Sequence, residues 1–341
     1  MIVSGSNPKD WKRTPNPHHF HSQNRKRSEC QLTPPKVPNF LSSTTNEGDD
    51  IAGIVTAVGS KVFEFHPGDR VAAFHEMRTP HGSYAEYALA WQHTTFHIPA
   101  STTFEEAAAL PLAAMTAALG LYQFLRLPQP WPVRDAGDGG EGAPLVIYGA
   151  ASAVGVYALQ LAKRSGIHPL LCIAGRAQDY VAQFLDPSQG DVLIDYRQGD
   201  EHVISSLTDA LQGRVPVVLD AVASGGSVEN IGEVFRRLPG GGEGGKVTYV
   251  LDGPKDGVPE AVEQSITRVG FVHKDGGRDF GYVYFRYFAR GLQEGWFKPQ
   301  RTEVVPGGLA GIEGALVRLK EGKASGVKYV FRIGETEGVA Q

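Results

Sequence analysis

The residues best suited to chemistry lie in one run of small side chains, Tyr148-Gly149-Ala150-Ala151-Ser152-Ala153-Val154-Gly155. It follows the apolar run Leu145-Val146-Ile147 and opens a stretch to Arg164 in which Val156, Leu159 and Ala162 recur at helical spacing. A strand that ends in glycine and turns straight into a helix brings backbone amides and the helix N-terminus close to a pyrophosphate, and Gly155 lets helix and strand pack tightly. The spacing is glycine, two residues, Ser152, two residues, glycine, so the middle glycine of the usual dinucleotide fingerprint is replaced. A plain tight turn into a packed helix would also satisfy this pattern. The next apolar run, Pro169 to Ile173, leads into Ala174-Gly175-Arg176 and not into the acid that would receive a ribose 2′-hydroxyl. An arginine there can pair with a 2′-phosphate, which predicts NADPH over NADH, with a solvated surface charge as the alternative.

Metal chemistry finds little support. Zinc needs closely spaced thiolates and imidazoles, but the two cysteines, Cys30 and Cys172, are far apart. Of the eleven histidines, His18, His19 and His21 cluster only in a polar stretch without apolar periodicity. The expectation is no metal. Two distant cysteines also predict a reducing compartment, and no run approaches the roughly 18 apolar residues needed to span a bilayer. A cytoplasmic protein without membrane partners is expected. The net charge of −4 leaves no electrostatic footprint for nucleic acid, so a small-molecule substrate is the expected partner.

These residues must be positioned by more than one core, since 341 residues exceed the size at which single cores divide. Ile2 to Val3 reads as extended, and Thr14 to Glu47 as an irregular His- and Pro-rich insert. From Ile51 come short β-like runs at 51–58, 70–74 and 84–89, separated by turn signals at Gly59-Ser60, Pro67-Gly68-Asp69 and His81-Gly82-Ser83. Residues 103–127 are rich in helix formers, with Thr102 or Thr103 able to cap them, and a Pro/Gly-rich loop at 128–144 follows. Apolar runs at 145–148, 169–173, 192–194, 215–219, 246–251 and 269–272 then alternate with helical patterns, as a doubly wound parallel sheet requires. After them come a helix at 282–295, a strand at 303–305, a helix at 312–321 and a strand at 328–333. The predicted class is α/β: a β domain over 1–115, a Rossmann domain over 116–285, and a return to the first domain over 286–341.

Several motifs in order resemble the medium-chain dehydrogenase/reductase superfamily, and within it the zinc-lacking fungal group of trans-acting enoyl reductases of polyketide pathways and ToxD-like or quinone oxidoreductase-like proteins. They are Asn7-Pro8-Lys9-Asp10-Trp11-Lys12, Asp50 to Val55, Pro67 to Val71, Ala107 to Pro111, Tyr148 to Gly155, Ile194-Asp195-Tyr196-Arg197 and Gly322-Lys323-Ala324-Ser325-Gly326. Asp49-Asp50 stands where a zinc-dependent member has His-Glu. The resemblance implies a GroES-like β domain, NADPH in the cleft beside the Rossmann domain, and hydride delivery to an activated alkene or a quinone, with a polyketide synthase as a partner. It implies cofactor contacts from Lys9, Asp10, Trp11 and Lys12 at the cleft and from Ala151, Ser152, Ala153 and Val154, flanked by Gly149 and Gly155, on the diphosphate. Ala174, Gly175, Arg176 and Tyr196 fall around the 2′-phosphate, and Ser325 and Gly326 on the nicotinamide side. Tyr196 as an ordinary strand-end aromatic stays open.

Reduction of a conjugated alkene builds charge on an enolate oxygen that a donor or cation must stabilise. Lys12 and Thr116 are the candidate catalytic residues; Thr116 bonding its own helix is the alternative. The chain starts six residues before Asn7, where the family has several more strands. An N-terminally incomplete β domain is expected, and with it two other readings, a non-catalytic NADPH-binding protein and an inactive truncated gene product.

Overall fold

The protein was described from a computed structural model, which describes residues 3–7, 48–131, 142–224, 226–252 and 256–339. The strands are β1 Val3–Gly5, β2 Asp50–Ile54, β3 Arg70–Phe74, β4 Thr95–His97, β5 Leu145–Tyr148, β6 Leu170–Ala174, β7 Val192–Asp195, β8 Val217–Asp220, β9 Lys246–Tyr249, β10 Glu263–Ile266, β11 Thr302–Val305 and β12 Lys328–Arg332. They form two sheets in two units.

One unit comprises Met1–Pro111, Thr302–Ala324 and Lys328–Gln341. Its sheet runs β11-β12-β1-β2-β3-β4, with β1 antiparallel to both β12 and β2. The alternating run at 84–89 forms no strand; Tyr87 and Leu89 are 68% and 62% exposed. Loop bonds hold the chain there instead, with the Leu89 amide donating to the His81 carbonyl at 3.0 Å and the His75 ring Nδ1 lying 2.7 Å from the Leu89 carbonyl.

The second unit comprises Leu112–Arg301 with Ser325–Val327. The helix Arg278–Glu294 belongs to this unit, and the chain passes back to the first at Thr302. The sheet order is β10-β9-β8-β5-β6-β7, all parallel, which is the doubly wound arrangement with its switch point between β5 and β8. Burial on both faces explains the continuous apolar runs of β5, β6 and β8. One face is covered by Val203, Leu207 and Leu211 of the helix Asp200–Leu211 and by Ile231, Val234 and Phe235 of the helix Ser227–Arg237. The sixth strand is Glu263–Ile266, and the expected strand at 269–272 is a 3-10 turn, Val269–His273. An edge strand with half-exposed Glu-Gln-Ser-Ile carries no apolar run to reveal it.

Thr103 caps the helix Phe104–Ala107 through a capping box: its Oγ1 accepts the Glu106 amide at 3.2 Å, while its own amide donates to the Glu106 carboxylate at 2.9 Å. The helical region Phe104–Phe124 is long and apolar enough to cross a membrane, with a mean hydropathy of 1.4, but 89% of that window is buried within the protein. It includes the helix Pro111–Ala118 and a π-helical turn, Leu119–Phe124.

Candidate nucleotide site

β5 delivers the chain to Gly149, whose φ of +81° lies in the left-handed region. A Cβ there would come within 2.5 Å of Val222 Cγ2, so the loop after β8 closes directly over the turn. The amides of Gly149 and Ala150 donate to the Ile173 carbonyl at 3.1 and 2.9 Å, which ties the turn to β6. The helix Ala153–Arg164 begins at Ser152, whose Oγ accepts the Gly155 amide at 3.1 Å. The first amides of a helix have no carbonyl partner within it, and Ser152 satisfies one of them. Gly155 sits against the backbone of Gly149 and Ala150, where a Cβ would collide with Gly149 O and approach Ala150 Cα to 2.7 Å. Ala151, Ser152, Ala153 and Val154 form the turn and the first helical residues between these two close approaches.

The end of β6 lies beside this turn. After Ala174 the chain passes through buried Gly175 to exposed Arg176. The Tyr196 ring lies on Gly175, since a Cβ there would meet ring carbons at 2.6 and 2.7 Å. Tyr196 remains 49% exposed, so Gly175 supports the ring without enclosing it. Asp195, at the end of β7, faces Ala174 across the ladder and could have served as the missing ribose acceptor. It is occupied instead: Arg197 donates to it from Nε at 2.8 Å and from Nη2 at 2.6 Å, and the Arg197 amide donates at 3.0 Å. The Arg197 side-chain hydrogen bonds hold the Asp195 carboxyl at a pKa of about 2.

The end of β8 carries residues that sequence reasoning did not single out. Asp220 is fully buried and accepts the amides of Val222 and Ala223 at 2.9 and 2.8 Å and the Ser227 hydroxyl at 2.6 Å. It thereby fixes the loop that closes on Gly149. An acid at the carboxyl end of a central parallel strand was the available signal.

Thr116 does not present a donor: its buried hydroxyl donates to the Leu112 carbonyl at 2.7 Å, so the expected catalytic role gives way to a bond within its own helix. Gly326 has a φ of +64°, and its Cα faces Ala177 so closely that a Cβ would approach the Ala177 side chain to 2.7 Å. Ala177 and Tyr180 in turn pack with Val156 and Ala151. The Ser325–Gly326 loop therefore stands beside Ala177, one residue after Arg176. Lys9, Asp10, Trp11 and Lys12 lie outside the described residues.

In the first unit, Asp50 is fully buried and accepts from the Lys328 ammonium at 2.5 Å and from Asn7 Nδ2 at 2.8 Å. Lys328 also donates to Asn7 Oδ1 at 3.2 Å. Among the described residues, no three His, Cys, Asp or Glu side chains converge as a metal-binding group.

The alcohol dehydrogenase GroES-like domain model matches residues 1–100. The trans-enoyl reductase fsr4 of Gibberella fujikuroi is 45% identical over 90% of this chain and 82% of its own length. The trans-enoyl reductase resD of Aspergillus sclerotiorum is 30% identical over 84% and 85% respectively. Among solved structures, a putative zinc-dependent alcohol dehydrogenase from Rhizobium etli superposes with a TM-score of 0.73 over 97% of this chain and 87% of that one, at 22% identity. The apo JamJ enoyl reductase gives 0.68 over 97% and 89%, at 16% identity. Fold and site together are those of a nicotinamide-dependent oxidoreductase built from a GroES-like domain and a Rossmann domain. The chain belongs to the medium-chain dehydrogenase/reductase superfamily and, within it, to the fungal trans-enoyl reductase group.

Proposed function

We propose that this chain is a zinc-independent, NADPH-dependent reductase of activated carbon–carbon double bonds. The observation that carries the reading is the β6 edge, where Arg176 follows Ala174-Gly175 and the one nearby strand-end acid, Asp195, is held by Arg197. With Asp195 already engaged and Arg176 following Gly175, on which the Tyr196 ring lies, the edge suits a 2′-phosphate. Bound NADPH supplies a hydride for the β-carbon of a conjugated alkene. The chain's own residues hold the cofactor: the Ala151 to Val154 cradle takes the diphosphate, Arg176 and Tyr196 the phosphorylated ribose, and Ser325 and Gly326 flank that end. Zinc independence is supported by the Asp50–Lys328 pair, because a carboxylate neutralised by a buried ammonium is not available as a ligand. Lys12 is the cation assigned to the developing enolate. The relatives support an alkene presented by a polyketide synthase, and the buried free thiol of Cys172 supports work in a reducing cytoplasm.

The test is oxidation of NADPH and NADH by the purified protein with an enone, a quinone and an enoyl thioester. NADPH oxidation with the enone or thioester is expected, and Arg176→Ala should lower kcat/KM for NADPH by about 10- to 100-fold while leaving that for NADH nearly unchanged. Equal use of both nucleotides by the wild type would remove the 2′-phosphate assignment. Lys12→Ala should reduce turnover far more than NADPH affinity; unchanged turnover excludes it from the chemistry.

A further inference from the structure

The first unit has an open cavity of about 220 Å³ over one face of its sheet, lined by residues between Ile51 and Thr95. In the ladder of β2 and β3, Ile51 pairs with Ala73 and Gly53 with Val71, and Ala73 pairs in turn with Thr95 of β4. Directly opposed residues share a face, so these five make the floor. Gly53 and Ala73 contribute little or no side chain, which keeps the middle of that floor low. The chain leaving β2, from Ile54 to Val62, forms one wall. Because the run at 84–89 adds no strand to the sheet, Tyr87, Ala88 and Leu89 border the cavity as a loop instead.

The lining is chemically uniform. Among the described residues that form it, none carries a charge. The hydroxyl of Thr95 is already engaged, donating to the Trp91 carbonyl at 2.9 Å. An ionic ligand would therefore meet no counter-charge there, whereas Ile54, Val58, Tyr87 and Leu89 line the cavity while standing exposed, so an apolar occupant takes their surface out of water. Size narrows the class further. An apolar cavity of about 150 Å³ stays dry and accepts benzene, and at about 30 Å³ for each water-sized group this one holds roughly seven. A protein partner would need about 800 Å² of matching surface, but a concave space for seven such groups takes a single short chain.

We propose that this cavity binds the apolar end of a straight aliphatic chain of about seven or eight carbons, whose polar end stays at the rim. The inference does not rest on the dinucleotide reading, since no residue of the cavity belongs to the nucleotide turn.

The test is displacement of N-phenyl-1-naphthylamine fluorescence from the intact protein by 1-butanol, 1-hexanol, 1-octanol and 1-dodecanol, without nucleotide. Affinity should rise about fourfold per methylene up to about eight carbons and then level off, because further methylenes stay in water. Ala73→Leu, which adds three carbons to the floor, should bring the break about three carbons earlier and weaken 1-octanol by at least tenfold. Leu89→Asp, at an exposed position that folding tolerates, should weaken 1-octanol several-fold without moving the break. Affinity that keeps climbing through 1-dodecanol, or no displacement by any alcohol, overturns the assignment. So does an unmoved break in an Ala73→Leu protein whose urea unfolding matches the wild type. If Ala73→Leu fails to fold, unchanged 1-octanol binding by Leu89→Asp overturns it alone. Flotation with phosphatidylcholine vesicles and no response to free alcohols would overturn it in favour of a membrane-facing patch.

Discussion

At the scale of single residues, much of the site depends on which polar group is already engaged. Arg197 and Arg176 are both exposed cations, and Arg197 is held to Asp195 through its amide, Nε and Nη2. Asp50 shows the same effect in the other unit. Its position in the sequence marks it as a departure from a zinc ligand pair, but its partner Lys328 lies at the opposite end of the chain, and no local pattern links them. Both side chains are essentially out of solvent, at 0% and 4% exposure, so each charge depends on the other. Lys328→Ala should therefore destabilise the protein by about 3 kcal/mol or more, whereas Lys328→Met combined with Asp50→Leu should recover most of that loss. Urea unfolding of the three proteins measures this, and a single-variant loss under about 1 kcal/mol would mean that water replaces the ammonium.

At the scale of elements, legibility followed burial. The strands buried on both faces, β5, β6 and β8, were visible as apolar runs, and the nucleotide turn was visible because only small residues can occupy it. β10 was not, since an edge strand of Glu-Gln-Ser-Ile has no reason to be apolar, and the more apolar run at 269–272 attracted the assignment instead. The run at 84–89 misled in the opposite way: it alternates like a strand, but the amide and carbonyl of Leu89 are met by His81 and His75. The contact of Gly326 with Ala177 and Tyr180 was not legible because these residues are remote in sequence. Burial in β6 has a chemical consequence at Cys172. Its thiol is fully enclosed, and burial raises its pKa well above the ordinary value, which suppresses the reactive thiolate. In a Cys30→Ser background, a disulfide reagent should titrate no thiol in the folded protein and one after denaturation. Rapid labelling of the native form would show that β6 opens readily.

At the scale of the whole molecule, the alternation of strand and helix sufficed to predict one doubly wound sheet and a separate β unit, because parallel strands need crossovers and antiparallel ones need only turns. What periodicity could not supply was which sheet each later helix packs on. The helix Arg278–Glu294 buries Tyr284, Phe285 and Phe288 in its own unit, and its amphipathic pattern does not say against which sheet that face will lie. The two sheets also differ in how their strands are drawn from the chain. The parallel sheet is drawn from 145–266, so each of its strands finds its neighbours within one continuous stretch. In the other sheet Val3 pairs on one side with Ala52 and on the other with Arg332. During synthesis, then, the nucleotide sheet has all its strands before β11 exists, while β1 must wait with one edge open until nearly the whole chain has left the ribosome. The order of assembly is thus written into the topology: the parallel-sheet unit can form first, and the other unit is closed last, by the strand that carries Lys328.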